Sequence, residues 1–503
     1  MKTLRTCIAC VLGAGTLVEF LFWGGTGIGY TILFLLLLAA YYIACGFLKT
    51  NARHTAEHIG LAVLCSALAV SYTLFANEPL RLLNFAALVF MMSLLFLQGT
   101  VGRNYSWDRP AFHAELWTGY FVRPFACLPR PWKEISDLRK NGREKAEEDK
   151  GKSAAKRKIL FQVLAALLAA IPVMFILFLL LSSSDPVFRD LFKPLYTWLS
   201  GLRIGEVMGR IILFVLLIPF VASTVWSYRD SFTVCTTPGA LSGVKTPLIP
   251  AASAITVLSM VNLLYLLYAV IQFGYFFGAW SGILPDGITP AVYARNGFFE
   301  LAFISCINVI LLLLSIRLTR RERKAGLIIK CLSTCLLVLS CVQLISAVLR
   351  MRLYTQAFGL TQLRYFVFAF MILLAVFFVL LLLKEFIPSF PMFRSMIFAG
   401  AAALVILNYS VPDAQIARYN ISHYISGELH FLDTEYITGL SADAKIILLE
   451  NEVSLTAKNA GMKDAFLSIH SKNEMPEDNY RQDSWKMYNV SQEKLYQYLL
   501  KNS

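Results

Sequence analysis

Apolar residues fall in long, nearly unbroken runs along this chain, at 6–23, 28–47, 58–75, 82–100, 159–182, 207–228, 252–278, 296–316, 326–348, 365–383 and 394–409. Each run is near the ~20 residues an α-helix needs to cross the hydrocarbon core of a bilayer. A backbone surrounded by lipid satisfies its N–H and C=O groups inside a helix, so the pattern predicts an all-α, polytopic membrane bundle of about eleven spans. The first run follows MKTLR and superficially resembles a signal peptide. The second begins only a few residues later, with no small-residue cleavage site between them, so a helical hairpin is predicted instead.

After Tyr409 the runs stop and shorter helical segments follow. PDAQIARYNISHYI (412–425), SADAKIILLENEVSLTAKNA (441–460), KDAFLSIH (463–470) and SQEKLYQYLL (491–500) predict a small helical C-terminal domain. The chain therefore divides into four parts. Residues 1–100 hold four spans, 101–158 form a basic loop, 159–409 hold about seven spans, and 410–503 form the terminal helices.

Composition agrees with the pattern. Of 503 residues, 57% are hydrophobic and 16% charged, against about 25% charged in soluble domains. Charge then sets orientation. The loop at 101–158 has 14 Lys/Arg against 8 Asp/Glu, and RLTRRERK (317–324) is equally basic. Basic loops stay in the cytoplasm, which places the N-terminus inside and residues 76–81, 183–206, 279–295, 349–364 and 410–503 outside. The last of these has 9 Lys/Arg and 13 Asp/Glu. The net charge of +14 is thus a topology signal, and no basic stripe with a binding module points to nucleic acid. All ten cysteines lie in spans or cytoplasmic loops, so the C-terminal segment has no disulfide framework.

Two segments are predicted to lie on the membrane surface. Residues 105–132 carry Trp107, Trp117 and Trp132 with Phe112, Tyr120 and Phe125, as interfacial anchoring requires. SSDPVFRDLFKPLYTWLS (183–200) has Asp185 as N-cap and Pro186 at the first helical position.

Ionisable groups inside spans are costly and mark candidate sites. Asn296, Glu300 and Asn308 share one ridge of the eighth span, with Arg295 just before it. The seventh span carries Tyr265, Tyr268, Gln272 and Tyr275 on one face, with Asn262 beside it. Arg210 lies near the outer end of the sixth span, and Arg350, Arg352 and Arg364 border the linker at 349–364. The candidate outward-facing cluster is therefore Glu300, Arg295, Asn296, Arg210, Gln272, Tyr268, Arg350 and Arg352. Its plain reading is an ion pair that holds helices together; its functional reading is a ligand or ion site, or a proton-linked group.

YARNGFFEL (293–301), LRMRLYTQAFGLTQLR (349–364) and PDAQIARYN (412–420) resemble motifs of a bacterial membrane-protein family known as domain of unknown function 4173, with its related 4153 group. The resemblance covers most of residues 70–450 and implies a multipass protein of the bacterial cytoplasmic membrane. The family's activity is not known, so the resemblance assigns no catalytic residues. Its commoner form has a second Arg where this chain has Asn296.

No enzyme motif stands out. HTAEH (54–58) matches the H-x-x-E-H pattern and would put His54 and His58 on one helix face as zinc ligands. A third ligand is needed, from His113, Glu115 or Cys127, and the site lies in a short basic loop. An interfacial pair of histidines is the simpler account. There is no P-loop, no Rossmann glycine pattern and no G-x-S-x-G, and no cofactor is predicted. Three classes stay open: a sensor or accessory subunit, a transporter of a small solute or ion, and a membrane-embedded enzyme acting on lipid-linked substrates. The expected partners are the bilayer and an envelope ligand or protein at the C-terminal helices.

Overall fold

A computed structural model describes residues 12–22, 26–47, 56–100, 208–215, 249–280, 298–319, 323–459 and 485–502, with isolated positions between them. Within these, the longer helices are α1 (Ile28–Phe47), α2 (Ala56–Leu74), α3 (Glu78–Thr100), α4 (Ala251–Trp280), α5 (Phe298–Leu318), α6 (Arg323–Phe358), α7 (Gln362–Phe386) and α8 (Met392–Tyr409). Shorter ones follow: α9 (Pro412–Ser426), α10 (Thr434–Gly439), α11 (Ala442–Glu450), α12 (Glu452–Lys458) and α13 (Val490–Asn502). Among the described residues there is no strand, only one isolated bridge between Ile249 and Thr319. Among the described residues, six helices are long and apolar enough to cross a membrane, and three further apolar helices are shorter. The spans expected at 159–182, most of 207–228, and the surface segments at 105–132 and 183–200 lie outside the described residues.

Contacts divide the chain into two units. One comprises residues 1–23 and 115–236, the other residues 24–114 and 237–503. In the first, a π-helical turn Val18–Phe22 carries Glu19, which pairs with Arg210 at 3.2 Å.

In the second unit, α1, α2 and α3 pack together, and α8 lies against α2 and α3. From α8 the packing continues to α7, then to α5 and α6, and α4 closes on α6. Leu312, Leu336, Phe378, Leu381 and Met392 are among the fully covered side chains of this core. The opposite face of α4 exposes Met260, Leu263, Leu264, Leu267 and Val270, as a helix facing hydrocarbon does. Some polar groups pair from helix to helix: Asn84 and Asn408 exchange amide hydrogen bonds at 2.7 and 2.9 Å, and Asn84 also donates to Ser71.

Two expectations change. The linker predicted at 349–364 shrinks to residues 359–361, because α6 runs on to Phe358. Nothing before Gly359 breaks a helix, and Gly359 does so with φ +75. The guanidinium of Arg364 lies 4.1 Å over the Tyr354 ring and donates to the carbonyls of Phe358 and Gly359, covering the end of α6. The segment 441–460 also splits, into α11 and α12, at Asn451. The Asn451 amide donates back to the Ile447 carbonyl, in competition with the helix ladder.

The junctions α2–α3, α6–α7 and α8–α9 and the start of α1 all come to one end of this unit, and α9–α13 cap it. The cap has its own core, in which Ile416, Ile437, Leu448, Leu455 and Phe466 are buried.

Candidate functional site

The capped end is built from asparagines that do two jobs each. Asn77 is the N-cap of α3: its Oδ1 accepts the Leu80 amide at 3.0 Å. Its Nδ2 donates to Asp413 Oδ1 at 2.8 Å. Asn489 repeats the device at α13, where its Oδ1 accepts the amides of Ser491 and Gln492. Its Nδ2 meanwhile donates to the Tyr72 and Phe75 carbonyls at the end of α2, both at 2.9 Å. The Ser491 hydroxyl donates to the Leu74 carbonyl at 2.8 Å. Helix ends leave such groups without intrahelical partners, and here each helix end supplies what another lacks.

Asp413 is the centre of the junction. It is 1% exposed, in the first turn of α9. Besides Asn77, its Oδ1 accepts Gln362 Nε2 at 2.7 Å, and its Oδ2 accepts the Ser441 amide at 3.2 Å. A buried carboxyl group is costly unless its oxygens are hydrogen-bonded, and both oxygens of Asp413 have donors. Val411, two residues earlier, adopts φ +50, which a β-branched residue does at a cost. That conformation turns the chain from α8 into α9 and directs Asp413 inward. Near by, burial pushes the Asp443 carboxyl up. The Ser491 hydroxyl pulls it down, Asp413 adds to the rise, and Lys494 opposes it.

Deeper in the bundle, Tyr265 Oη donates to Asn308 Oδ1 at 2.7 Å, and Asn308 Nδ2 donates to Ser340 Oγ at 2.8 Å. Gln343 Oε1 stands 3.5 Å from the same nitrogen. Asn262 Nδ2 bridges to the Leu332 carbonyl at 3.0 Å. Two sequence features, the tyrosine face of the seventh span and the Asn308 ridge of the eighth, thus meet on α6.

The remaining candidates fall as follows. Arg295 and Asn296 lie outside the described residues, and so do the side chains of Glu300, in the first turn of α5, and Gln272, on α4. Arg210 is with Glu19 in the first unit. Tyr268 packs partly buried against the core of the second. Arg350 is half-buried and Arg352 exposed, near Tyr419. His54 lies outside the described residues, whereas His58 is 3% exposed against the rings of Tyr41 and Tyr42. Glu57 of the same motif pairs with Arg394. Among the described residues no three His, Cys, Asp or Glu side chains converge on a metal position.

Sequence reasoning singled out PDAQIARYN and LRMRLYTQAFGLTQLR as motifs but assigned Asp413, Asn420 and Gln362 no role, and it passed over Asn77 and Asn489. An acid two residues into a helix reads as an ordinary first-turn residue. Only the fold shows three other segments pointing donors at it.

These features define a class: an all-helical protein with helices suited to a membrane and a helical cap tied to their ends by buried polar links. Residues 59–451 match the family model described as Domain of unknown function (DUF4153), and the chain belongs to that family. The matching model is thus that of the 4153 group. No curated protein and no solved structure matches the chain.

Proposed function

We propose that the chain is a multipass protein of a bacterial cytoplasmic membrane acting as a sensor or accessory subunit, its N-terminus inside and its cap outside. An envelope ligand or partner protein meets the cap, and the bundle reads the cap's position. The observation that supports this most is Asp413, whose carboxylate ties the starts of α3, α7 and α11 together. Directional bonds to one buried carboxyl group do not slide as apolar contacts do, so displacing the cap perturbs three helix ends together. Glu300, Arg295 and Asn296 form the edge of a polar cluster on the same face of the membrane.

The test uses Ser422→Cys, at an exposed position of α9, in a full-length variant whose native cysteines are replaced. A membrane-impermeant maleimide added to intact cells is expected to label it. Protection until lysis would put the cap in the cytoplasm and end the envelope-facing reading.

A second reading, transport of a small solute or ion, draws on the Tyr265–Asn308–Ser340 chain inside the bundle. Asn308→Leu separates the two. It removes the polar chain and leaves the cap intact, so a transporter loses flux while a sensor keeps its response.

A further inference from the structure

A cavity of about 870 Å³ opens where α6, α7, α8 and α9 meet below the cap. Its lining is divided by polarity along its length. Toward the bundle it is wholly apolar, with Phe368, Ile372 and Val376 of α7 facing Ala402, Ala403 and Ile406 of α8. The alanines keep α8 slim at this level, and the space they leave is the cavity. Toward the cap it ends among Arg352, Gln356, Ser410, Tyr419 and His423.

The dimensions match one leaflet. From Tyr365 to Val376 the α7 lining spans about 16 Å at 1.5 Å per residue, half of a ~30 Å hydrocarbon core. The polar end lies at the level where α7 and α8 leave the membrane-suited length of helix. Of the two basic groups there, His423 stacks on Tyr419 with centroids 3.9 Å apart and has Glu428 within 3.5 Å. Arg352 is exposed, and none of the ion pairs among the described residues involves it.

We propose that this groove holds a phospholipid with an anionic headgroup, drawn from the leaflet on the capped side. Its acyl chain lies against Phe368, Ile372 and Val376, and its phosphate meets Arg352, with the Tyr419 hydroxyl and Gln356 amide as further donors. An apolar slot of leaflet depth, ending at a cation without a carboxylate partner, is complementary to such a lipid and not to a soluble anion or an uncharged tail. Arg352 belongs to α6 and Tyr419 to α9, so the headgroup would bridge bundle and cap. The assignment holds whichever side of the membrane the cap occupies, and fails independently of the envelope-facing reading.

The experiment places the purified full chain in phosphatidylcholine nanodiscs carrying a trace of phosphatidylglycerol with a diazirine on its acyl chain. Photolabelling is mapped by mass spectrometry. Labels are expected in 368–376 and 399–407, displaced by unlabelled phosphatidylglycerol and not by added phosphatidylcholine or inorganic phosphate. Arg352→Gln is expected to lower the preference for phosphatidylglycerol about fivefold, the effect of one cation at an anionic lipid surface. Ala402→Leu with Ala403→Leu is expected to remove the label from both segments, with thermal melting confirming that each variant is folded. Labelling indifferent to headgroup and to Arg352 would overturn the proposal. So would crosslinks showing that another span, or a second copy of the chain, fills the groove.

Discussion

Asn420 on α9 holds both backbone groups of Leu360 in the α6–α7 turn. Its Oδ1 accepts the Leu360 amide at 2.6 Å and its Nδ2 donates to the Leu360 carbonyl at 2.8 Å. The turn lacks neighbours of its own to take these bonds, so the cap supplies them. Asn420→Ala strands a buried donor and a buried acceptor at about 1–3 kcal/mol each. A clear fall in the melting temperature of the detergent-solubilised chain is expected, with faster proteolysis between α6 and α7. Unchanged melting would mean that water replaces the amide.

Gly359 makes the same point from the backbone. Its φ is +75, and a Cβ there would lie 2.9 Å from Asn420 Oδ1. Gly359→Ala therefore combines left-handed strain, about 1 kcal/mol, with displacement of the clamp. It is expected to cost more alone than in an Asn420→Ala background, where the clamp is already lost and only the left-handed strain remains. A double-mutant cycle measures this coupling.

Asp413→Asn keeps the shape and changes the pattern of acceptors. The amide keeps one acceptor, while its NH₂ faces the Ser441 N–H, so at least one of the three bonds becomes a donor–donor clash. A loss of about 2 kcal/mol is expected, within the range for a buried unsatisfied group. Impermeant labelling at the cap–bundle boundary is expected to rise. Wild-type melting and labelling would show that the junction does not depend on the carboxylate.

Asp443 predicts a pH dependence of the opposite sense to that of a salt-bridged acid. Burial raises its carboxyl above the ordinary 3.8 in the folded protein. Its contribution to stability is therefore full below that ordinary value and is lost as pH rises through the folded value. Asp443→Asn removes the penalty. The variant is expected to match wild type at acidic pH and to melt slightly higher at neutral pH. A variant less stable than wild type at neutral pH would mean that the helix N-terminus and Ser491 outweigh burial.

Gly27 tests how the last helix is seated. A Cβ at Gly27 would come within 2.5 Å of the Met487 backbone, beside the bond from the Ile28 amide to the Tyr488 carbonyl at 3.0 Å. Gly27→Ala is expected to detach the 485–488 turn and expose α13 to protease, leaving α1 in place. An intact protease pattern would show that the turn can shift to accept the methyl group.

The membrane-suited helices were legible because their signal is local: a run of apolar residues long enough to span hydrocarbon needs no partner to be recognised. That is why the expected spans at 252–278, 365–383 and 394–409 correspond closely to α4, α7 and α8. The tyrosine face meeting Asn308 was half legible, since helical spacing puts residues on a face without naming the helix opposite. The linker at 349–364 was misjudged because hydropathy ends with the bilayer, whereas the α6 backbone continues as a helix until Gly359.

By itself, then, the sequence determined the all-helical class and most helix limits, because these follow from hydropathy, glycine and proline acting within a turn or two. Only the tertiary structure decided the junction. Asn77 and Asp413 are separated by most of the chain, as are Asn489 and Tyr72. An asparagine in a loop carries no mark of which distant carbonyl or carboxylate it will meet. Burying unpaired backbone groups at helix ends is costly, and packing the cap onto the bundle is what brings each of them a partner.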